Sequence, residues 1–171
     1  IEHQKFTAED LLTMPEGDRY ELVDGELRDL HRTQESSWVA GKIFRLLGNF
    51  AEDGGLGWVF PEGTAYQCFP WDPQMVRKPD TSFIARDRLP EGPVGQGHTR
   101  IAPDLVVEVV STHDNVNELE SKLADYLEAG VKTIWVVHPS QRLVIVHRRD
   151  EPSRMQRLKE ADDIRGNGPL E

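Results

Sequence analysis

Residues 102–111 read Ala-Pro-Asp-Leu-Val-Val-Glu-Val-Val-Ser, and the rest of the chain is read outward from this stretch. A valine-dense run bounded by proline and serine predicts a buried central strand. The strand period of two puts Asp104, Val106, Glu108 and Val110 on one face, with Leu105, Val107 and Val109 on the other. Glu108 therefore sits where an ionised carboxylate is expensive unless it is paired or binds a metal.

Downstream, Asp114 or Asn115 is set to cap a helix of roughly 116–129 that ends at Gly130. A second buried strand is expected at 132–137. His138-Pro139-Ser140-Gln141 then turns the chain into an antiparallel partner at 142–147, and the polar tail from Glu151 shows no pattern for a final element. Upstream, Thr7-Ala8-Glu9-Asp10 is an N-cap with an acidic first turn, opening a short helix that stops near Pro15 and Gly17. Asp24-Gly25 between 20–23 and 26–30 signals a hairpin. The apolar positions Val39, Ile43, Leu46, Leu47 and Phe50 recur at helical spacing, and Gly54-Gly55 closes that helix. Strands are expected at 58–60, 65–69 and 75–85, followed by a Gly/Pro-rich loop over 90–99. The sum is one α/β domain over 1–171, a mixed central sheet flanked by helices.

Composition narrows the function. The 171 residues carry 30 acidic and 20 basic side chains, a formal charge of −10. That balance argues against a nucleic-acid binder relying on bulk charge, which gains affinity by counterion release at lysine and arginine clusters. It permits a nuclease, whose site needs carboxylates for a divalent cation. The single cysteine, Cys68, excludes a disulfide framework and a cysteine zinc cluster. No histidine pair has HxH, HxxxH or HExxH spacing, and no GxSxG, GxGxxG or GxxxxGK[ST] occurs. No apolar run approaches the ~20 residues a bilayer demands. Ile1-Glu2-His3-Gln4 does not resemble a signal peptide, so a cytoplasmic protein is expected.

Three residues place charge where the pattern demands burial. Asp80 follows Pro79 in VRKPDTSFI, Glu108 lies inside the valine strand, and Lys122 lies on the following helix. With Leu119 as the centre of the apolar stripe, Val116, Leu123, Tyr126 and Leu127 fall within about 80° of it, and Lys122 about 60° to one side. Glu118, Glu120, Asp125 and Glu128 point further outward. Lys122 can thus lie along the sheet with its ammonium reaching the end of the Glu108 strand. Two carboxylates can share a hard divalent cation such as Mg²⁺ or Mn²⁺, and the Val109 carbonyl can add a third oxygen. A lysine beside that cation can orient or deprotonate the attacking water and offset phosphate charge.

Pro79-Asp80 followed at a distance by Glu108 on a hydrophobic strand resembles the PD-(D/E)xK nuclease superfamily, the restriction-endonuclease-like fold. More narrowly, YELVDGEL (20–27), RKPDTSFI (77–84), APDLVVEVVS (102–111), NELESKLADYLEAGV (117–131) and IWVVHP (134–139) resemble the Uma-two family. The likeness spans roughly residues 7 to 150. The superfamily usually has its lysine two residues after the strand acid, where this chain has Val110. The family pattern moves it to the following helix, at Lys122. The resemblance implies Asp80, Glu108 and Lys122 as the Asp–Glu–Lys set of an Mg²⁺-dependent endonuclease acting on DNA. The family usually has Asp where His138 stands, a change expected to alter a turn. It also tends to carry a histidine before the first long helix, where this chain has Glu35-Ser36-Ser37; His31 comes too early for that place.

Other residues are read more plainly. Asp104 is taken mainly as a strand-start residue. Glu21 and Glu26 are expected mainly as solvated hairpin charges, with an extra acid for the site as the alternative for either, and Tyr126 mainly as a packing residue, with a hydrogen bond near Lys122 as its alternative. Arg77, Lys78, Arg86, Arg88 and Arg100 are candidates for a basic rim. Trp38, Trp58, Trp71 and Trp135 are expected in the core or at an interface. Cutting both strands of a duplex requires two sites, so a homodimer is expected. Two rival readings stand beside the nuclease: a catalytically inactive interaction or DNA-associated module of the same fold, and a metal-dependent hydrolase of small phosphate esters.

Overall fold

The valine run becomes the third strand of a six-stranded mixed sheet in the computed structural model, which describes residues 5–93 and 95–164. Ile1–Gln4, Val94 and the last seven positions lie outside the described residues. The reading of the first four residues, part of the 90–99 loop and the end of the tail is therefore not addressed by the structure.

Helix α1 (Ala8–Thr13) opens with a capping box in which Thr7 and Asp10 satisfy each other's backbone amides. Strands β1 (Tyr20–Val23) and β2 (Glu26–Asp29) form the hairpin around Asp24-Gly25, both at positive φ. Helix α2 (Gln34–Asp53) is capped by Thr33. The main sheet then runs β3 (Gly57–Phe60), β4 (Thr81–Ala85), β5 (Leu105–Val109), β6 (Thr133–His138), β7 (Leu143–Arg148) and β8 (Met155–Lys159), in that spatial order. Helix α3 (Val116–Ala129), capped by Asn115 and ended by Gly130 at φ 105°, connects β5 to β6. That β5–β6 pair is the parallel one; its neighbours are antiparallel.

The alternation along β5 sorts the two faces as the period predicts. Val106 packs with Leu123, Tyr126, Ile134 and Val136 on the α3 side. Leu105, Val107 and Val109 pack with Ala40, Leu47 and Ala51 of α2 on the other. The sheet is therefore sandwiched between helices, with Glu108 on the α3 side.

Three expectations fail locally. Residues 75–85 do not form one long strand. Pro79 has no amide to donate, so only β4 pairs continuously, and Val76 and Arg77 make isolated bridges to Leu22 and Tyr66. The 65–69 segment likewise has a single bridging residue, Tyr66. Conversely, the tail does form an element: β8 pairs antiparallel with β7. As an edge strand it buries one residue, Leu158, and its polar composition carried no signal.

Candidate active site

Asp80 lies one residue before β4, in the column that faces Glu108 across the antiparallel β4–β5 ladder. Its amide donates to the Val107 carbonyl at 3.2 Å, and its Oδ2 accepts the Val109 amide at 2.7 Å. Glu108 is buried on the α3 side of β5. From α3, the Lys122 ammonium reaches Glu108 Oε2 at 2.9 Å. The three residues singled out in the sequence are thus brought together, on three successive elements around one cavity of about 320 Å³.

The environment of each is unusual. Burial, opposed by Lys122 and the Val109 hydrogen bond, raises the Asp80 carboxyl to about 6. Burial, with Asp80 and Glu21 adding like charge, raises Glu108 to about 8 even with Lys122 beside it. Burial alone would lower Lys122, but Glu108, Glu21 and Asp80 together hold its ammonium well above the usual lysine value. Among the described residues, Glu108 Oε1 and the Tyr126 hydroxyl are buried with no well-formed hydrogen bond, and the two groups interact with each other. Burial and the Glu108 and Glu21 carboxylates push the Tyr126 phenol far up.

Sequence reasoning ranked a site role for Glu21 second, behind a solvated hairpin charge. The residue is not a solvated hairpin charge but a buried side chain on β1, 3% exposed. Its Oε1 accepts from Lys122 Nζ at 2.9 Å and from the Lys78 amide at 2.6 Å, and its Oε2 accepts from Arg77 at 3.0 Å. Burial works against this carboxylate, yet Lys122 and Arg77 keep it below the usual value. The only sequence signal was its position, alternating inward with Val23 on a hairpin whose other strand is mostly exposed. Glu26, by contrast, is exposed and paired with Arg28.

Lys122 is not at the margin of a stripe but on the buried face of α3 with Leu123 and Tyr126, while Val116 is largely exposed. Carboxylates on both neighbouring elements make lysine burial tolerable. Asp125 does not point outward either; Arg77 Nε donates to it at 3.0 Å.

Asp104 lies at the far end of β5, where Arg88 and Lys132 reach it at 3.0 and 2.8 Å and the Ala85 amide donates at 2.8 Å. It takes no part in the cavity. The expected basic rim is largely used up internally. Arg77 and Lys78 are buried, the Lys78 ammonium on the Gly17 carbonyl, and Arg88 pairs with Asp104; Arg86 donates to the Gly55 carbonyl and lies over Trp58. Arg100 remains exposed. The cations that line the cavity are Arg28, Arg32, Arg77 and Lys122, with His31 beside them; Arg32 pairs with Glu62. His31 thus reaches the cavity wall despite its early place in the chain. Glu35 and the largely exposed Trp38 line a separate, open recess with Thr112. Trp71 is also exposed, edge-on to Phe69, so neither tryptophan belongs to the core.

The donor set suits Mg²⁺ or Mn²⁺. Two hard carboxylates converge, one with a buried oxygen that has no well-formed hydrogen bond among the described residues, and their raised affinity for protons marks a charge that a cation would relieve. Among the described residues no cluster of three or more His, Cys, Asp or Glu side chains is gathered to hold a metal, and Glu21 has both oxygens engaged. Mg²⁺ does not require more, since it commonly keeps several waters and takes one or two carboxylates plus substrate phosphate.

Comparison with known proteins follows the same line. The sequence profile of the Uma2 family, described as "Putative restriction endonuclease", matches residues 8–166. The chain belongs to this family. The crystal structure of "a putative nuclease belonging to DUF820" from Anabaena variabilis ATCC 29413 superposes with a TM-score of 0.79, covering 96% of this chain and 90% of that one at 18% identity. The Uma2 chain described here therefore has the restriction-endonuclease-like fold. No curated protein sequence matches it. No helix among its described residues is long and apolar enough to cross a membrane.

Proposed function

We propose that this Uma2 protein is a divalent-cation-dependent endonuclease that hydrolyses phosphodiester bonds of DNA. Asp80 and Glu108 would hold Mg²⁺ or Mn²⁺, with the Val109 carbonyl as a further oxygen ligand. The observation that carries the reading is the half-buried Asp80 beside the buried Glu108, with Lys122 2.9 Å from Glu108, at the wall of an open cavity. When bound, the cation would lower the proton affinity of a water and offset charge on the phosphate.

The chain's own residues do the rest. The Val109 amide fixes the Asp80 carboxylate, and Lys122 keeps a positive charge against Glu108 where a phosphate would arrive. Arg28, Arg32 and His31 give the cavity mouth cationic and hydrogen-bonding groups in an otherwise acidic protein. A duplex cut on both strands needs two such sites, so we propose a homodimer as the working form, in the cytoplasm.

The test is calorimetric titration of Mg²⁺ and Mn²⁺ into wild type and Glu108→Ala, with DNA cleavage assayed under the same conditions. Binding and cleavage in wild type, both lost in the variant, are expected. Wild type that binds no metal at millimolar concentration overturns the reading.

A further inference from the structure

An ammonium has three protons to donate and, while it donates them all, no lone pair with which to accept one. Lys122 Nζ has three acceptors around it: Glu108 Oε2 at 2.9 Å, Glu21 Oε1 at 2.9 Å and the Lys78 carbonyl at 3.1 Å. Two of the three depend on Glu21, because the same Oε1 also takes the Lys78 amide and so anchors the residue that supplies the third acceptor. Glu21 grips α3 a second time through Arg77, which bridges Glu21 Oε2 to Asp125. Asp125 is one turn from Lys122 on the same helix, so the hairpin fixes both the ammonium and the helix bearing it. A hairpin that needed only to pack would do so at lower cost with an apolar residue at this 3%-exposed position.

We propose that Glu21 is a positioning residue for the reaction: it holds the Lys122 ammonium on Glu108 and, through Arg77 and Asp125, the helix that bears it, so that the cation stands fixed where a phosphate would arrive. This rests on the nuclease reading given above. It assigns Glu21 a task distinct from Asp80 and Glu108, since its two oxygens are spent on Lys122, Lys78 and Arg77 and none is left for a metal.

The first arm of the test needs neither metal nor activity. Proton-detected ¹⁵N spectra of the whole protein, with Lys122→Met for assignment, should show a slowly exchanging Lys122 ammonium at neutral pH. That signal should vanish in Glu21→Gln, which presents an amide to Arg77 and loses the charge. It should also vanish in Glu21→Asp, which keeps the charge but falls one methylene short of the ammonium, and which serves if the glutamine variant does not fold. An ammonium that exchanges freely in wild type, or one unchanged in a folded variant, overturns the proposal.

The second arm uses Mn²⁺ and duplex DNA. In a folded Glu21 variant, Mn²⁺ stoichiometry should match wild type and KM should stay within about twofold, while kcat falls about tenfold or more. Unchanged kcat overturns the positioning role, and lost Mn²⁺ stoichiometry overturns it in favour of Glu21 as a ligand. If wild type itself neither binds metal nor cleaves DNA, the nuclease reading falls; the first arm still decides whether Glu21 holds Lys122.

Discussion

The Val109 amide donates to Oδ2 of Asp80 at 2.7 Å, so the residue before β4 is tied by its side chain to the strand that carries Glu108. The backbone ties it a second time, Asp80 amide to Val107 carbonyl at 3.2 Å. Asp80 is thereby held beside the buried Glu108, and burial raises the proton affinity of both acids.

Metal affinity should climb steeply with pH. A cation needs both carboxylates ionised. Burial, chiefly, holds Asp80 at about 6 and Glu108 at about 8. At pH 6 only about 1% of Glu108 is ionised, so apparent Mn²⁺ affinity there should be about a hundredfold weaker than at pH 9. Near pH 7 binding should release about one proton. Titrations in buffers of different ionisation enthalpy measure both, and an affinity flat from pH 6 to 9 would contradict the pairing.

The same pair should make the metal-free protein lose stability as pH rises. Glu108 binds its proton more tightly folded than unfolded, having been raised from 4.5 to about 8. Its contribution is full below about pH 4.5 and is lost as pH rises through 8. Between pH 7 and 8.5 the loss should amount to about 1 kcal/mol. The window lies above the lowered histidines His98, His138 and His147 and below the half-buried Cys68 thiol, which burial raises to about 11. Urea unfolding across it should show the decline in wild type and not in Glu108→Gln, and saturating Mn²⁺ should reverse it.

The central part of this design is written locally, and the remainder is not. β5 could be read from its valines, α3 from its cap and Gly130, and the inward face of Glu108 from the period of two. Those signals all lie between Leu105 and Gly130. What joins Glu21 to Lys122 is a contact across about a hundred positions, from a hairpin whose charges look like those of any exposed turn. Arg77 and Lys78 misled for a related reason: cations in a loop read as a surface patch until their distant acceptors are known, Glu21 and Asp125 for Arg77 and the Gly17 carbonyl for Lys78. β8 was illegible because an edge strand with one buried leucine needs no alternation worth the name.

Asp104 and Glu108 share a face of β5, and variants should separate them cleanly. Four residues of strand put them about 13 Å apart. Asp104 is fully buried against Arg88, Lys132 and the Ala85 amide. Asp104→Ala should cost about 3 kcal/mol, because it leaves a buried donor unmet and breaks a partly buried ion pair. Mn²⁺ stoichiometry should nevertheless match wild type at a temperature where the variant is folded. Lost metal binding in a folded Asp104→Ala would place that acid in the site after all.

Lys122 offers the sharpest thermodynamic check, because its removal exposes what it compensates. Lys122→Met keeps an unbranched apolar stem, one atom shorter, but leaves Glu108 and Glu21 buried without their shared cation. The expected cost is about 3 to 5 kcal/mol, more than an apolar truncation of similar size would impose at an exposed helix position. Adding Glu108→Gln should return part of it, since Glu21 still has Arg77 at 3.0 Å and the glutamine carries no charge to strand. A double-mutant cycle at pH 8 should therefore give a coupling of about 1 to 3 kcal/mol between positions 122 and 108. Strict additivity would mean that the 2.9 Å contact contributes nothing to the fold, and the stationary cation at the centre of the site would lose its energetic support.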